Sequence, residues 1–430
     1  MDWPIGMLVL VALMMTGVPI AFAMMIVGVA GVASIIGIEP SLSLLGQTYF
    51  DNARSYSLSV LPLFLMMGNF VVQSGVAEDL YGAANAWLRH RRGGLAMATI
   101  VACGGFSSVC GSSLATAATM TKIALPSMRR YGYPDGLATA SIAAGGTLGI
   151  LIPPSVILVF YGIMTQQDIG QLFLAGVIPG ILGVLGYMAA VRLSLALNGT
   201  AVPAESKLPL RERLGALKGV LGALLLFVFV MGGIYLGVFT VTEAAGTGAA
   251  GAFLLTLLRG RLTFEETFHT LFETAKMTAT MFFILFGALV FSNYVNLSGM
   301  TTDLQGWLGL LGANPLAVIA AIFLIYVVLG CVLESLSMIV LTVPIFYPVA
   351  AAAGFDLIWF GIFVVVVTEI SYITPPVGMN AFVLRSVAKT VDLATIFRGL
   401  VPFVAMDLVR VALLVAFPIL ALLLPATMGR

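Results

Sequence analysis

The sequence predicts an all-α protein that crosses a membrane many times and consists of two inverted repeats. Three observations lead to this prediction. Of the 430 residues, 60% are hydrophobic and only 9% are charged, whereas soluble domains contain about 25% charged residues. Glycines and prolines recur at a nearly constant offset along the chain. Pairs of adjacent prolines also interrupt two apolar segments at equivalent places.

Composition also excludes several classes of function. The net charge of +1 argues against a nucleic-acid partner. The three cysteines have no spaced pattern, which excludes a disulfide framework. The two histidines, His90 and His269, lie beside charged residues in predicted loops, so a zinc site or a Ser–His dyad inside the membrane is not expected. The apolar N-terminus lacks a basic flank and is predicted to be a retained helix.

The repeat follows from the spacing of glycine and proline. Offsets of 220, 222 and 223 residues carry nine positions of the first half onto identical residues of the second half, in the same order. The pairs are Pro126–Pro348, Gly132–Gly354, Pro153–Pro375, Pro154–Pro376, Gly17–Gly237, Gly28–Gly248, Gly31–Gly251, Gly176–Gly399 and Pro179–Pro402. Such agreement is hard to produce by chance, so we predict two repeats, at 4–197 and 226–424.

The charge of the connecting segments predicts that the repeats are inverted. Residues 127–136 carry two arginines and should be cytoplasmic by the positive-inside rule. Their counterpart at 348–357 carries no basic residue and should face outward. A segment that starts and ends on the same basic side is a re-entrant hairpin. We therefore predict one hairpin at 93–129 and its counterpart at 315–353.

The proline pairs interrupt the segments that follow the hairpins, at 136–165 and 357–388. A proline inside a helix costs about 3 kcal/mol, and irregular backbone at membrane depth is tolerated only where it is buried or lines a wet cavity. Freed carbonyls there can bind a cation, and half-helix N-termini can bind an anion. Inverted repeats with broken helices near the midplane are typical of secondary transporters, which is the function that we predict.

Polar residues at membrane depth are candidates for ligand contact. The tip of the first hairpin, "GGFSSVCGSSLATAATM" at 104–120, concentrates hydroxyl groups. Its candidates, with the serine after the first proline pair, are Ser107, Ser108, Ser112, Ser113, Thr116 and Ser155. The candidates of the second repeat are Glu334, Glu369 and Asn380. Asp407 and Arg410, three residues apart on the last predicted span, are expected to pair.

Four motifs carry a resemblance to a known family: "GSSLATAATM", "GTLGILIPPS", "LESLSMIVLTVPIFYP" and "TPPVGMNAFVL". Over nearly its whole length the chain resembles the large membrane subunit of tripartite ATP-independent periplasmic (TRAP) transporters. The resemblance implies an elevator-type ion-transporter fold like that of divalent-anion/sodium symporters. It also implies sodium-driven import of a carboxylate, such as a C4-dicarboxylate or a sugar acid, across the bacterial inner membrane. A periplasmic binding protein and a separate small four-helix membrane subunit would be the partners, with sodium ions and no cofactor.

The resemblance further implies two sodium sites and a substrate site. The first sodium site maps onto Ser107, Gly149, Ile152 and Pro154, and Cys110 stands where the family has a second serine. The second sodium site maps onto Gly330, Ser371, Thr374 and Val377. The offset of 222 supports this assignment, because it pairs Gly149 with Ser371 and Ile152 with Thr374. The resemblance implies a substrate carboxylate near Ser112 or Ser113 and Ser155. Together with the candidates from membrane depth, the predicted substrate contacts are Ser112, Ser113, Thr116, Ser155, Glu334 and Asn380.

We expect the segments 93–165 and 315–388 to move together as a transport domain. The remaining segments should form a static scaffold: 1–92, 166–314 with a cytoplasmic linker at 199–218, and 389–430. The short polar stretches 44–55, 78–90, 263–275 and 301–312 are expected to be interfacial arms between the two parts.

The sequence leaves three alternative functions. A stand-alone divalent-anion/sodium symporter would work without a binding protein or a small subunit. An intramembrane serine hydrolase using Ser112 or Ser113 would need a base at membrane depth, where no histidine is predicted. A channel would not need asymmetric, inward-only transport. No enzymatic activity is expected.

Overall fold

The computed structural model of the chain describes residues 2–197, 202–310, 314–330 and 333–428. Within these ranges every regular element is a helix, which confirms the all-α class. Seven of the described helical segments are long and apolar enough to cross a membrane. The start of the predicted linker (199–201), the end of the last predicted arm (311–312) and Cys331 lie outside the described residues.

The helices divide between the repeats as follows. The first repeat contains α1 (Trp3–Met15), α2 (Ile20–Ile36), α3 (Ile38–Ala53), α4 (Val60–Gln73), α5 (Val76–Leu88), α6 (Gly94–Cys110), α7 (Ser113–Arg130), α8 (Asp135–Thr147), α9 (Val156–Thr165) and α10 (Ile169–Leu197). The linker forms α11 (Leu210–Ala216). The second repeat contains α12 (Lys218–Tyr235), α13 (Val241–Leu258), α14 (Phe264–Leu297), α15 (Met300–Leu310), α16 (Pro315–Gly330), α17 (Ser335–Ala352), α18 (Leu357–Ser371), α19 (Met379–Val387), α20 (Leu393–Ala416) and α21 (Ile419–Ala426).

The element boundaries confirm the repeat. Helix α7 begins and ends 222 residues before α17, and α9 ends 222 residues before α19. Each repeat therefore places a hairpin, then a broken helix, then a long helix in the same order. The agreement extends beyond the glycines and prolines that predicted it, since most residues at these boundaries differ between the halves.

Both predicted hairpins are present. In the first, α6 and α7 are joined by two residues, Gly111 and Ser112. Gly111 has a φ of +65°, a left-handed conformation that glycine adopts without a steric penalty. The 17 residues of α6 rise about 25 Å, less than the hydrocarbon thickness of about 30 Å. In the second hairpin, α16 and α17 occupy the equivalent positions.

Both predicted breaks are present as well. Helix α8 continues into a 3₁₀ turn at Leu148–Ile150 and stops before the first proline pair, and α9 begins after it. Helices α18 and α19 are separated by the second proline pair in the same way. The peptide bonds Pro153–Pro154 and Pro375–Pro376 are both cis. Each hairpin packs on its broken helix: α6 and α7 on α8, and α16 and α17 on α18.

The repeats interlock through two helix pairs, α2 with α14 and α4 with α13, which we call the inter-repeat pairs. Each pair joins a helix of one repeat to a helix of the other. Their contact is close, since a Cβ on Gly28 would lie 2.9 Å from the Phe291 nitrogen and one on Gly287 would overlap the Ala21 carbonyl. Small residues allow membrane helices to approach in this way. Gly28 is one of the glycines that predicted the repeat.

The four stretches predicted as arms have different structures. Residues 44–55 and 78–90 fall largely within α3 and α5, and 301–312 overlap α15. Residues 263–275 do not form a separate short helix. They are the first turns of α14, a continuous helix of 34 residues, whereas the first repeat is interrupted between α3 and α4. In the first repeat, α3 ends before Arg54 and a new helix, α4, follows. At the equivalent place in the second repeat, α14 continues without interruption.

Candidate substrate and cation site

A cavity of about 260 Å³ lies where the two hairpins meet α4 and α14. The first hairpin contributes the residues from Cys110 to Ala115, and the second hairpin contributes the residues from Glu334 to Leu336. Tyr372, next to the second break, also lines it. The cavity therefore joins both repeats at the hairpin tips, which is the arrangement that the sequence predicted.

Ser112 and Glu334 occupy equivalent positions, 222 residues apart, and both line the cavity. They are the N-cap residues of α7 and α17. The Ser112 hydroxyl accepts a hydrogen bond from the Ala115 N–H at 3.3 Å. The N-termini of α7 and α17 therefore both lie at the cavity, where the positive ends of the two helix dipoles favour a bound anion.

Ser113 lines the cavity, while Asn380 supports it from behind. The Ser113 hydroxyl donates to Asn380 Oδ1 at 3.0 Å. The Asn380 amide donates to the Ala143 carbonyl at 2.9 Å, and the residue is fully buried. Asn380 therefore connects the first hairpin, α8 and α19, and it orients Ser113.

Thr116 and Ser155 lie behind the cavity wall. Thr116 is fully buried on α7. The Ser155 hydroxyl donates to the Ile150 carbonyl at 2.5 Å and accepts from the Leu158 N–H at 3.3 Å. It thereby caps α9 and holds the first break in shape. Of the six predicted substrate contacts, Ser112, Ser113 and Glu334 line the cavity.

Two predicted residues of the first sodium site, Gly149 and Pro154, lie where the hairpin tip meets the first break. A Cβ on Gly149 would lie 3.1 to 3.2 Å from the Ser112 carbonyl group and the Ser113 nitrogen, so only glycine fits there without displacement. A Cβ on Gly111 would lie 3.5 Å from the Pro154 carbonyl oxygen. The Ser107 hydroxyl is buried and has no hydrogen-bond partner among the described residues. A buried hydroxyl oxygen without a partner suits a small cation.

The predicted residues of the second sodium site are also adjacent. A Cβ on Gly330 would overlap the Ser371 side chain, so the end of α16 touches the end of α18. The Ser371 hydroxyl donates to the Thr368 carbonyl at 2.7 Å. The Thr374 hydroxyl donates to the Ile370 carbonyl at 2.9 Å, which leaves its lone pairs available. Val377 is half-buried within the break.

Glu369 lies away from the cavity. Its carboxylate pairs with Arg410, which also lies 2.8 Å from Asp407. All three residues are buried. The expected Asp407–Arg410 pair is therefore present, and Glu369 joins it.

Sequence reasoning missed the opposite wall of the cavity. Leu65, Asn69 and Val72 of α4 and two methionines of α14, Met277 and Met281, line it. The Asn69 amide donates to the Thr274 hydroxyl at 2.9 Å, a contact between the inter-repeat pairs. The sequence signal for this wall was Asn69, an amide side chain within the apolar segment 57–74.

Comparison with known proteins decides the family. The model of the family described as "Tripartite ATP-independent periplasmic transporter, DctM component" matches residues 7–420. The chain belongs to this family. It is thus a large permease of the TRAP type and a multi-pass protein of the bacterial inner membrane. A tripartite transporter has further components, so the permease works with a small membrane subunit and a binding protein.

Individual relatives support the assignment over nearly the full length. The chain is 36% identical over 404 residues to the C4-dicarboxylate TRAP transporter large permease DctM of Pseudomonas aeruginosa, covering 94% of each chain. It is 32% identical over 415 residues to the sialic acid TRAP transporter large permease SiaM of Vibrio cholerae, covering 96% of each. Membership of the TRAP family favours the predicted tripartite system over a stand-alone symporter.

A solved structure supports the fold. The YdaH transporter of Alcanivorax borkumensis superimposes with a TM-score of 0.61 at 15% identity, covering 91% of this chain and 88% of that one. The predicted fold class, with two inverted repeats, re-entrant hairpins and broken helices, is thereby confirmed for this TRAP permease.

Proposed function

We propose that this TRAP permease imports a small organic carboxylate together with sodium ions, after a periplasmic binding protein delivers the substrate. The observation that carries the proposal is the cavity between the hairpin tips, where the N-termini of α7 and α17 converge. Two relatives are named for C4-dicarboxylate and for sialic acid transport, and both ligands carry carboxylates.

The substrate carboxylate would bind at Ser112 and Ser113. The Ser112 hydroxyl and the α7 N-terminus offer hydrogen-bond donors and a favourable dipole. The Ser113 hydroxyl would donate to the substrate in place of Asn380 Oδ1. Glu334 lines the same cavity and would repel a second negative charge. A bound cation, or hydroxyl or amino groups on the substrate, would have to offset this repulsion. The cavity volume of about 260 Å³ suits a small organic acid.

The sodium ions would bind at the two breaks, at the residues assigned from the family pattern. Carbonyls freed by the proline pairs would supply most ligands, as in other transporters with broken helices. Ser107 would add its unpaired hydroxyl. The two sites would flank the substrate, because each break touches the hairpin whose tip lines the cavity.

Transport would follow an elevator mechanism. A carboxylate and its cations are costly to expose to lipid, so moving the whole satisfied site is favoured over rebuilding it. The inter-repeat pairs would stay fixed. Helices α10 and α20 pack extensively on each other, and α20 packs extensively on α8. The Glu369–Arg410 pair also ties α20 to α18. We therefore propose that α10 and α20 move with the hairpins and the broken helices, which makes the transport domain larger than 93–165 and 315–388.

Uptake by proteoliposomes tests sodium coupling. The permease is reconstituted with its small subunit, and the loaded binding protein is added outside. Uptake should require an inward sodium gradient, and a negative interior should add about 2.3 kcal/mol per 100 mV for each uncompensated charge. Equal uptake driven by potassium or proton gradients alone would overturn the proposal.

Disulfide crosslinking tests the elevator. In a variant without Cys103, Cys110 and Cys331, a bond between Leu114→Cys and Asn69→Cys would tie the first hairpin to α4. It should abolish transport, and reduction should restore it. A bond between Leu114→Cys and Leu336→Cys, which joins the two hairpins, should preserve translocation. The reverse pattern would indicate local gating.

A further inference from the structure

We propose that a buried chain of polar side chains couples the two predicted cation sites, an inference that rests on the proposed function. The chain runs through Thr147, Tyr187, Asp407, Arg410 and Glu369, and all five residues are buried. It begins two residues before the Gly149 of the first site. It ends two residues before the Ser371 of the second site.

The contacts along the chain are continuous. The Tyr187 hydroxyl lies 3.0 Å from the Thr147 hydroxyl and donates to Asp407 Oδ2 at 2.7 Å. One guanidinium nitrogen of Arg410 lies 2.8 Å from Asp407 Oδ1 and also donates to Glu369 Oε2. The chain therefore passes from α8 through α10 and α20 to α18.

The chain follows the repeat symmetry. Thr147 and Glu369 are equivalent at the offset of 222, and Tyr187 and Arg410 are equivalent at the offset of 223. In each repeat the contact joins the end of the first half of the broken helix (α8 or α18) to the long helix that follows (α10 or α20). The first repeat does so with a neutral hydroxyl pair, and the second with an ion pair. The Tyr187–Asp407 bond connects the two halves across the contact between α10 and α20.

Two features allow the chain to respond to bound cations. The Thr147 hydroxyl has one proton and two acceptors within reach, the Ala144 carbonyl at 2.8 Å and Tyr187, so it can adopt two hydrogen-bond arrangements. The carboxyl groups of Glu369 and Asp407 share the single guanidinium of Arg410, and Glu369 Oε1 has no hydrogen-bond partner within the described ranges. Glu369 lies two residues before Ser371, so this oxygen is an unpaired acceptor next to the second break.

Coupling follows from these features. A cation at either break changes the position or the charge balance of the nearest chain member, and the continuous contacts transmit the change to the other break. Buried hydrogen-bond networks strengthen or weaken together. By linkage, each cation then raises the affinity for the other by the same factor.

The test is the sodium dependence of uptake in proteoliposomes. The native protein should show a Hill coefficient between about 1.5 and 2. Tyr187→Phe keeps the ring and removes both hydroxyl contacts, so its Hill coefficient should fall to about 1. The matched control is Tyr161→Phe, because that buried tyrosine donates to the Leu357 carbonyl at 2.6 Å outside the chain. The control should keep the native coefficient.

Two further variants separate coupling from stability. Asp407→Asn keeps an acceptor for Tyr187, but its amide nitrogen then faces the Arg410 guanidinium and cannot accept from it, so this variant interrupts the chain and should lose cooperativity. Thr147→Val keeps the side-chain shape and should lose cooperativity like Tyr187→Phe. A merely structural role would lower the maximal rate of these variants and leave the Hill coefficient unchanged.

The outcomes are distinct. A native Hill coefficient in both Tyr187→Phe and Thr147→Val would overturn the coupling chain and leave sodium-driven import intact. An equal loss of cooperativity in Tyr161→Phe would also overturn it. Native uptake without any sodium dependence would instead overturn the proposed function, and the coupling chain with it.

Discussion

The two proline breaks occupy equivalent places in the repeats, but the protein surrounds them differently. The pair Pro153–Pro154 is buried, and so is most of α9 after it. The pair Pro375–Pro376 is exposed, and α19 after it exposes 43% of Phe382. Helix α19 packs on α7 just as α9 packs on α17, but α9 is also covered by α4 of an inter-repeat pair, which accounts for the difference. Equivalence in sequence therefore does not give equal solvent access.

An inverted-repeat transporter that is open to one side of the membrane cannot be symmetric. The two proline breaks show this asymmetry, since the first is buried and the second is exposed. Helix α19 leads to the basic segment 385–389, which the positive-inside rule places in the cytoplasm. We therefore expect this conformation to face the cytoplasm. The buried first break and the exposed second break should then respond differently to substitution and to reagents.

The largest difference between the repeats is expected in the loss of folding stability when the equivalent residues Tyr187 and Arg410 are substituted. Arg410→Ala leaves Glu369 and Asp407 buried without a cation, which should lower the free energy of unfolding by about 3–5 kcal/mol. Tyr187→Phe removes a hydrogen bond to the Asp407 carboxylate and should cost less, about 1.5–3 kcal/mol, the usual value for a hydrogen bond to a charged group. Denaturant unfolding of both variants in one detergent measures the contrast. Equal losses would show that the ion pair adds nothing over the hydroxyl pair.

The next difference concerns access to the breaks. Phe160→Cys and Phe382→Cys are matched by the offset of 222 and are made in a variant without the three native cysteines. Phe160 is fully buried, whereas Phe382 is 43% exposed. Phe382→Cys should react roughly tenfold faster with a membrane-impermeant maleimide applied from the cytoplasmic side, because thiol modification requires exposure. Inside-out vesicles provide that side. Similar rates for the two variants would contradict an inward-facing conformation.

The smallest difference concerns the side-chain ligands of the two sodium sites. Ser107→Ala removes a hydroxyl without a described protein partner, so sodium affinity should fall roughly tenfold. Thr374→Val removes a hydroxyl that already donates to the Ile370 carbonyl, and affinity should fall about threefold. Half-saturating sodium in uptake assays measures both. Unchanged values would leave backbone carbonyls as the only ligands.

The sequence predicted the parts of the fold that local backbone chemistry determines. Proline pairs, glycine positions and the charge of loops were enough for the repeats, the hairpins and the breaks, because these residues restrict the backbone wherever they occur. The cavity-lining residues Ser112, Ser113 and Glu334 followed from the hairpin tips. All of these depend on short stretches of chain.

Contacts between distant segments could not be predicted in this way. The α4 and α14 wall of the cavity depends on how the inter-repeat pairs approach the hairpins. The pairing of Glu369 with Arg410 joins residues 41 positions apart. Ser155 looked like a ligand from its place beside the prolines, yet its hydroxyl caps α9. Only tertiary packing decides which polar group faces the cavity.

The inter-repeat pairs have a consequence for how the protein is made. Helix α14 packs on the face of α2 that contains Gly28, and α13 packs on α4. The packing partners of α2 and α4 therefore belong to the other repeat. During synthesis of the second half, the first half is already inserted in the bilayer. The faces of α2 and α4 that later pack on α14 and α13 are then in contact with lipid. Neither half should be a stable unit by itself. A gene divided within the linker should therefore give transport only when both fragments are expressed in the same cell.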